Sequence, residues 1–298
     1  MHIVISGASG LVGTALQQQL LSEGHTVTNL VRKASANENE STWDPYAGVI
    51  ELDVLREADA VINLSGAGIG DRRWSQSYRK TLLESRTRTT SLLAGSLATL
   101  ASDGKQRTLL NSSAIGIYGD RGDEEVDESS EHGSGFLADI CLDWEAATTP
   151  AEQAGIRVVH LRTGIVMSKK GGVLKKLLPL FKLGLGGRLG SGRQWQSWIS
   201  IDDEVGAIVH LLTADVTGAV NLTAPHPVTN QQFTTALGRA VRRPTFCSVP
   251  AFAPKILVGA EFAEQLLLTG QRVLPTKLQQ SEYVFTHTTL DEALTALL

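Results

Sequence analysis

Eleven residues at the start of the chain, Ile3-Val4-Ile5-Ser6-Gly7-Ala8-Ser9-Gly10-Leu11-Val12-Gly13, constrain its fold more than any other stretch. The short β-branched apolar run reads as a strand buried on both faces. Behind it, Leu11, Val12, Ala15, Leu16 and Leu20 fall along one side of a helix. Three glycines stand between the two. Gly7 suits a tight turn out of the strand, Gly10 leaves room for a diphosphate beside the backbone, and Gly13 lets the helix pack closely. The uncapped N–H groups of the first helical turn, with Ser9, Leu11 and Val12 around them, then face the phosphates. Gly24 ends the helix and a second strand, Thr26 to Val31, follows. This strand–turn–helix–strand order predicts a dinucleotide-binding, doubly wound parallel α/β sheet of the Rossmann type.

Arg32-Lys33 comes directly after the second strand. A site for an unphosphorylated ribose usually places an acid there, whereas two cations suit the 2′-phosphate of NADP. A solvated basic turn is the alternative. Ala34 to Ser41 reads as a mobile surface loop, and a third strand is expected around Val49 to Leu52. Ala60 to Ala67 is a fourth strand ending in small residues, so Asn63, Leu64, Ser65 and Gly66 could line the cofactor with backbone groups or simply make a tight turn. A long helix, roughly Ser75 to Ala101, turns Tyr78, Leu82, Thr89, Leu92, Leu93 and Leu100 inward. Ser85 and Arg86 in its middle either reach the cofactor or face water.

Strand five, Thr108 to Ser113, ends in hydroxyls at the sheet edge that carries ligands in such folds, with Tyr118 on the adjoining loop. The acidic run Asp120 to Glu131 reads as a solvated flap. Phe136 to Ala147 reads as a helix and Arg157 to Val166 as strand six with a turn, in which His160 reads as a packed core histidine. From Gln153 to Ile201 there is no acid but there are nine cations, interleaved with glycines and with Trp195 and Trp198. That stretch suits a cover over an anionic substrate, or a solvated helix and loop. Asp202-Asp203-Glu204 opens a helix, where acids are explained by capping and the dipole. A seventh strand, Ala219 to Leu222, closes a domain over residues 1–224. Residues 225–298, with helices at Gln231 to Val241 and about Pro254 to Thr269, form a small substrate-side unit packed against Ile165 to Ser200.

A net charge of −4 argues against general nucleic-acid binding. No apolar run reaches membrane-spanning length, and the chain starts on a strand, so a cytoplasmic protein without membrane contact is expected. The two cysteines, Cys141 and Cys247, make no metal or redox pattern.

With these motifs placed, the chain resembles the extended short-chain dehydrogenases/reductases, the superfamily of nucleotide-sugar epimerases and dehydratases, and most closely an atypical epimerase-like branch with its own C-terminal domain. The residues that carry the resemblance are the glycine turn, Asn63-Leu64-Ser65-Gly66, Ser85-Arg86, Arg162-Thr163-Gly164, Gly190-Ser191-Gly192-Arg193-Gln194 with Trp198 to Asp203, and Gln271-Arg272-Val273-Leu274-Pro275. It implies bound NAD(P), with Ser85 and Arg162 beside the cofactor. It also implies a Ser or Thr after strand five, matched by Ser112 or Ser113, and a Tyr-x-x-x-Lys pair on the next helix. That helix reads Phe136-Leu137-Ala138-Asp139-Ile140-Cys141, without either residue. Tyr118 is the nearest remaining phenol, and without a neighbouring cation it would be a poor base.

The expected activity is NADP-dependent oxidoreduction or epimerisation of a small anionic carbonyl compound or nucleotide sugar. Ser112 or Ser113 would hold the substrate oxygen, Tyr118 or a water would move the proton, and Arg193, with Trp198, would grip an anionic group. The alternative is a non-catalytic NADP(H)-binding regulator. A homodimer through an apolar stripe on the long helix is also open.

Overall fold

The computed structural model describes residues 1–35 and 37–298. Seven strands form one sheet: β1 (His2–Ser6), β2 (Thr26–Val31), β3 (Glu40–Thr42), β4 (Ala60–Asn63), β5 (Thr108–Ala114), β6 (Arg157–Thr163) and β7 (Gly218–Leu222). Their spatial order is β7-β6-β5-β4-β1-β2-β3, and every neighbouring pair is parallel. The chain runs outward from β1 to β3, then returns to start the other half at β4. That reversal puts a crevice at the carboxyl ends of β1 and β4, where the glycine turn lies.

The main helices are α1 (Leu11–Ser22), α2 (Gln76–Leu100), α3 (Phe136–Ala146), α4 (Gly172–Lys182), α5 (Ile201–Thr213), α6 (Asn230–Ala240), α7 (Phe252–Val258) and α8 (Leu290–Leu297). Side chains alternate across each strand, so Ile3, Ile5, Leu110 and Leu161 meet Leu16 and Leu20 of α1 and Ile208 and Leu211 of α5 on one face. Val4, Val61 and Leu109 meet Leu93 and Leu97 of α2 on the other. The apolar stripe on α2 is therefore spent inside the chain. Ser75 caps that helix by accepting from the Tyr78 backbone N–H.

A third cluster joins Met167, Leu174, Phe181 and Trp198 to Ala224, Phe233, Leu237, Leu290 and Leu294. The smaller unit thus draws on chain from both sides of residue 224, as the expected packing of the C-terminal part on residues 165–200 requires.

Two expectations fail and one element goes unforeseen. The third strand is Glu40–Thr42, overlapping the end of the stretch read as a loop, of which Ala36 lies outside the described residues. Ser41 and Trp43 are buried there, whereas Val49 is exposed and only bridges Asp44. The helix expected over 254–269 is broken at Gly259, whose φ of 102° no helix accommodates. The terminal helix α8 was not anticipated, although Thr289 and Glu292 form a reciprocal capping box at its start. Among the described residues no helix is long and apolar enough to cross a membrane.

Candidate functional site

The turn after β1 is built from backbone contacts that admit no side chain. Gly7 has φ +78°, and a Cβ on it would lie 2.6 Å from the Leu64 carbonyl at the end of β4. A Cβ on Gly13 would lie 2.4 Å from the Gly7 oxygen, so this glycine packs α1 against the turn itself and not against the sheet. Gly10 is the N-cap of α1 and provides no side-chain cap, and a Cβ there would meet only the Gly7 oxygen at 3.2 Å. The first N–H groups of α1, at Leu11, Val12 and Gly13, have no partner within the helix and are free for an anion. Ser9 is exposed at the mouth, and the side chain of Leu11 lies under the Gly171 backbone that leads into α4. Arg32 and Lys33 stand past the end of β2, the strand beside β1, and neither pairs with a carboxylate among the described residues.

At the end of β4 the polar residues brace one another. Asn63, fully buried, accepts from the Ser6 hydroxyl at 2.6 Å and donates to Thr90 and Asn111 at 2.9 and 2.7 Å. Its side chain ties β1, β4, β5 and α2 together and is not free for a ligand. Leu64 continues the ladder by donating its N–H to the Ser6 carbonyl. Beyond Ser65 and Gly66, the Ala67 N–H donates to the Ser85 hydroxyl at 3.0 Å, and Arg86 donates to the Ala67 carbonyl at 3.1 Å. Ser85 and Arg86 thus neither face water nor stand free: they hold the 64–67 turn in place.

The two serines of β5 point to opposite faces, and this separates them. Ser113 is buried and donates to Glu145 Oε1 at 2.6 Å. Ser112 is half-buried, and no hydrogen bond of its hydroxyl is seen among the described residues. Glu145 of α3 is also gripped by Arg162 through Nε at 2.8 Å and Nη2 at 2.9 Å, while Nη1 of Arg162 donates to the Tyr118 hydroxyl at 2.9 Å. The phenol donates onward to Asn221 Oδ1 at 2.8 Å. Burial opposes the charge on Glu145, but Arg162 overrides it and holds the carboxyl below its usual range.

Two expectations change here. Tyr118 does have a cation beside it, but it is fully buried, and burial raises its phenol in spite of Arg162. It is a strut under the site, with no route to a substrate. Arg162, expected at the cofactor, is committed to Glu145 and Tyr118.

Arg193 is largely exposed, and its one ion pair among the described residues is a 3.9 Å contact to Asp123, which leaves it open to an anion. Trp198 is the reverse. It is 0% exposed and donates its indole N–H to the His226 carbonyl, so it is a core residue and cannot touch a substrate. The acidic run is not wholly solvated either. Glu128 folds inward and accepts the backbone N–H groups of Asn221 and Lys277. His160 is buried against Glu152, as expected of a packed histidine.

A family description, the NAD dependent epimerase/dehydratase family, matches residues 3–223. The chain belongs to that family. A domain of unknown function matches residues 249–297. An epimerase family protein of Mycobacterium bovis is 47% identical over 293 residues, spanning 98% of this chain and 96% of its own length. The human epimerase family protein SDR39U1, crystallised with NADPH, is 33% identical with a TM-score of 0.88, and the match covers 100% of this chain and 99% of that one. A nucleoside-diphosphate sugar epimerase structure from Corynebacterium glutamicum is 35% identical with a TM-score of 0.81, over 100% of this chain and 58% of that one.

The start of α3 carries neither the tyrosine nor the lysine that the resemblance implies. Cys141 is buried, and burial pushes its thiol up to about 12, so it is inert. The N-terminus of α3 is instead closed by the C-terminal unit: Gln265 accepts the Leu137 N–H at 3.2 Å, and Trp74 packs edge-on against both Phe136 and Phe262. Glu145, Asn221 and Gln265 were not singled out from sequence. Their partners lie tens of residues away, and no local motif marks them.

Proposed function

We propose that the chain binds NADP(H) and acts as an oxidoreductase or epimerase on a small anionic carbonyl compound or nucleotide sugar. The observation that carries this reading is the α1 N-terminus. Its N–H groups are uncapped over a turn that only glycine can form, and a pair of uncommitted cations stands one strand away. The backbone of residues 9–12 would hold the diphosphate and Arg32 with Lys33 the 2′-phosphate. The human relative crystallised with NADPH supports the choice of nucleotide. The bound nicotinamide supplies hydride exchange. Of the two β5 serines, Ser112 has the hydroxyl left over to hold a substrate oxygen, and Arg193 is placed to attract an anionic group. Tyr118 takes no part in proton transfer, so the proton moves through water.

Arg32→Ala should weaken NADPH binding at least tenfold and leave NADH binding within about twofold, read by tryptophan fluorescence titration. Equal losses for the two nucleotides would overturn the 2′-phosphate assignment.

A second reading, a non-catalytic NADP(H)-responsive regulator, is favoured by the locked Ser113–Glu145–Arg162–Tyr118 network and the absence of the tyrosine–lysine pair. A regulator must bind NADPH and NADP⁺ with different affinities, because only differential binding shifts its populations. Equal affinities, together with turnover of any carbonyl compound, would remove it.

A further inference from the structure

The acids and bases of this chain are unevenly placed. Residues 153–201 and 216–260 together hold thirteen of its 27 cations and none of its 31 acids. The first segment contributes α4 and the strand Gly187–Leu189. The second contributes the strand Cys247–Val249 and α7. The two strands pair in parallel with Cys247 opposite Gly187, which brings Phe246 alongside Leu185 and Gly186. Arg243 donates to the Lys182 carbonyl at 2.9 Å and fastens the end of α4 to the same edge.

The apolar side chains on this edge point outward. Phe246 is 93% exposed, and Leu183, Ile256 and Leu257 are each more than 70% exposed, with Phe252 and Leu185 close behind. Phe252 and Ile256 lie one helical turn apart and share a side of α7. Lys182, Arg242 and Arg243 stand among them with no carboxylate partner among the described residues. Single exposed apolar residues are ordinary, but six on neighbouring segments of one water-facing edge mark a contact surface.

We propose that this face docks on an anionic lipid surface, its aromatic and aliphatic side chains entering the headgroup layer and its cations meeting lipid phosphates. Exposed apolar side chains beside cations that have no carboxylate partner are the combination that such surfaces reward, and they need no spanning segment. A second copy of the chain would bring two basic faces together, at a cost in repulsion. A nucleic acid would use the cations and leave Leu183, Ile256 and Leu257 without a partner.

The test is sedimentation of the full chain with vesicles of phosphatidylcholine alone and with vesicles containing about one-third phosphatidylglycerol. Roughly tenfold or greater preference for the anionic vesicles is expected. It should be lost in Phe246→Ser/Ile256→Ser and, separately, in Lys182→Glu/Arg242→Glu. These positions lie on the surface, so melting temperature and NADPH titration should stay at wild-type values and separate a docking defect from a folding defect. Three results would each overturn the proposal: no preference for anionic vesicles, binding unchanged in both variants, or a concentration-dependent dimer that the same variants abolish. Tighter binding to duplex DNA than to the vesicles would do the same.

Discussion

Asn63 and Arg162 show what a residue's type reveals and what it hides. Both sit in motifs that the sequence marks, at the sheet edge where ligands collect, yet each spends its hydrogen-bonding capacity on other side chains. The partners of Arg162 come from positions 17 and 44 residues away, which no local pattern encodes. Glu204 is the sharper case. As one of three acids in a first helical turn it reads as a dipole partner, yet it is buried, accepts from the Thr163 hydroxyl at 2.9 Å, and leaves its second oxygen without a partner among the described residues. Burial pushes its carboxyl up to about 8, and the Thr163 bond offsets this only in part. In the unfolded chain the group titrates near ~4.3. Below that value both states hold the proton. Between there and about 8 only the folded state does, so stability falls as pH rises through that window and levels off above it. Glu204→Gln keeps an acceptor for Thr163 and removes the titration. It should stabilise the fold by about 2–4 kcal/mol at about pH 8.5 and change it little at about pH 5 in urea unfolding. Equal effects at the two pH values would show that the carboxyl is already charged in the folded state.

Elements with a strong period and clear ends were the legible ones. The β1–α1–β2 unit and the long α2 fall where apolar spacing and the Ser75 cap place them. The edge strand β3 is three residues long and wholly polar, so it shows no alternation, and the apolar residue buried beside it, Trp43, lies just past its end. The break at Gly259 was masked by the apolar residues on either side. Glycines carry the clearest element-scale prediction, because the same letter does different work in α1 and α2. Gly13→Ala forces a methyl to within 2.4 Å of the Gly7 oxygen and 2.7 Å of Ala8 Cα, so the turn itself must move. A loss of about 2 kcal/mol or more and at least a tenfold drop in NADPH affinity are expected. At Gly95, in the middle of α2, an added methyl would meet nothing within 4 Å, and Gly95→Ala should stabilise by about 0.5–1 kcal/mol with nucleotide binding unchanged. Thermal unfolding and titration of the two variants side by side test both claims.

At the scale of the whole molecule, the parallel sheet was legible because seven strands and their crossovers leave few alternative topologies. The nine cations between 153 and 201 were legible as a local field but not in their placement, since only the fold puts Lys169 and Lys170 in the pocket that Ser9, Gly10 and Leu11 line. Asp203 is a polar anchor of the smaller unit on α5. Its buried carboxylate accepts from the Ser200 and Tyr283 hydroxyls and from the backbone N–H groups of Thr286 and His287. Asp203→Asn should lower hydrogen-exchange protection across 283–297 about tenfold or more and leave β1 to β5 as protected as before. A uniform loss across the whole sheet would show that the carboxylate supports the global fold and not this junction. The shared core of Met167, Phe181 and Trp198 with Phe233 and Leu294 also has a consequence for biogenesis. A ribosome that has delivered residue 224 has made every strand of the sheet, yet the middle of the nascent chain still lacks the helices that will cover it. Those apolar side chains stay uncovered until the rest of the chain emerges, and that interval is when the newborn protein most needs a chaperone.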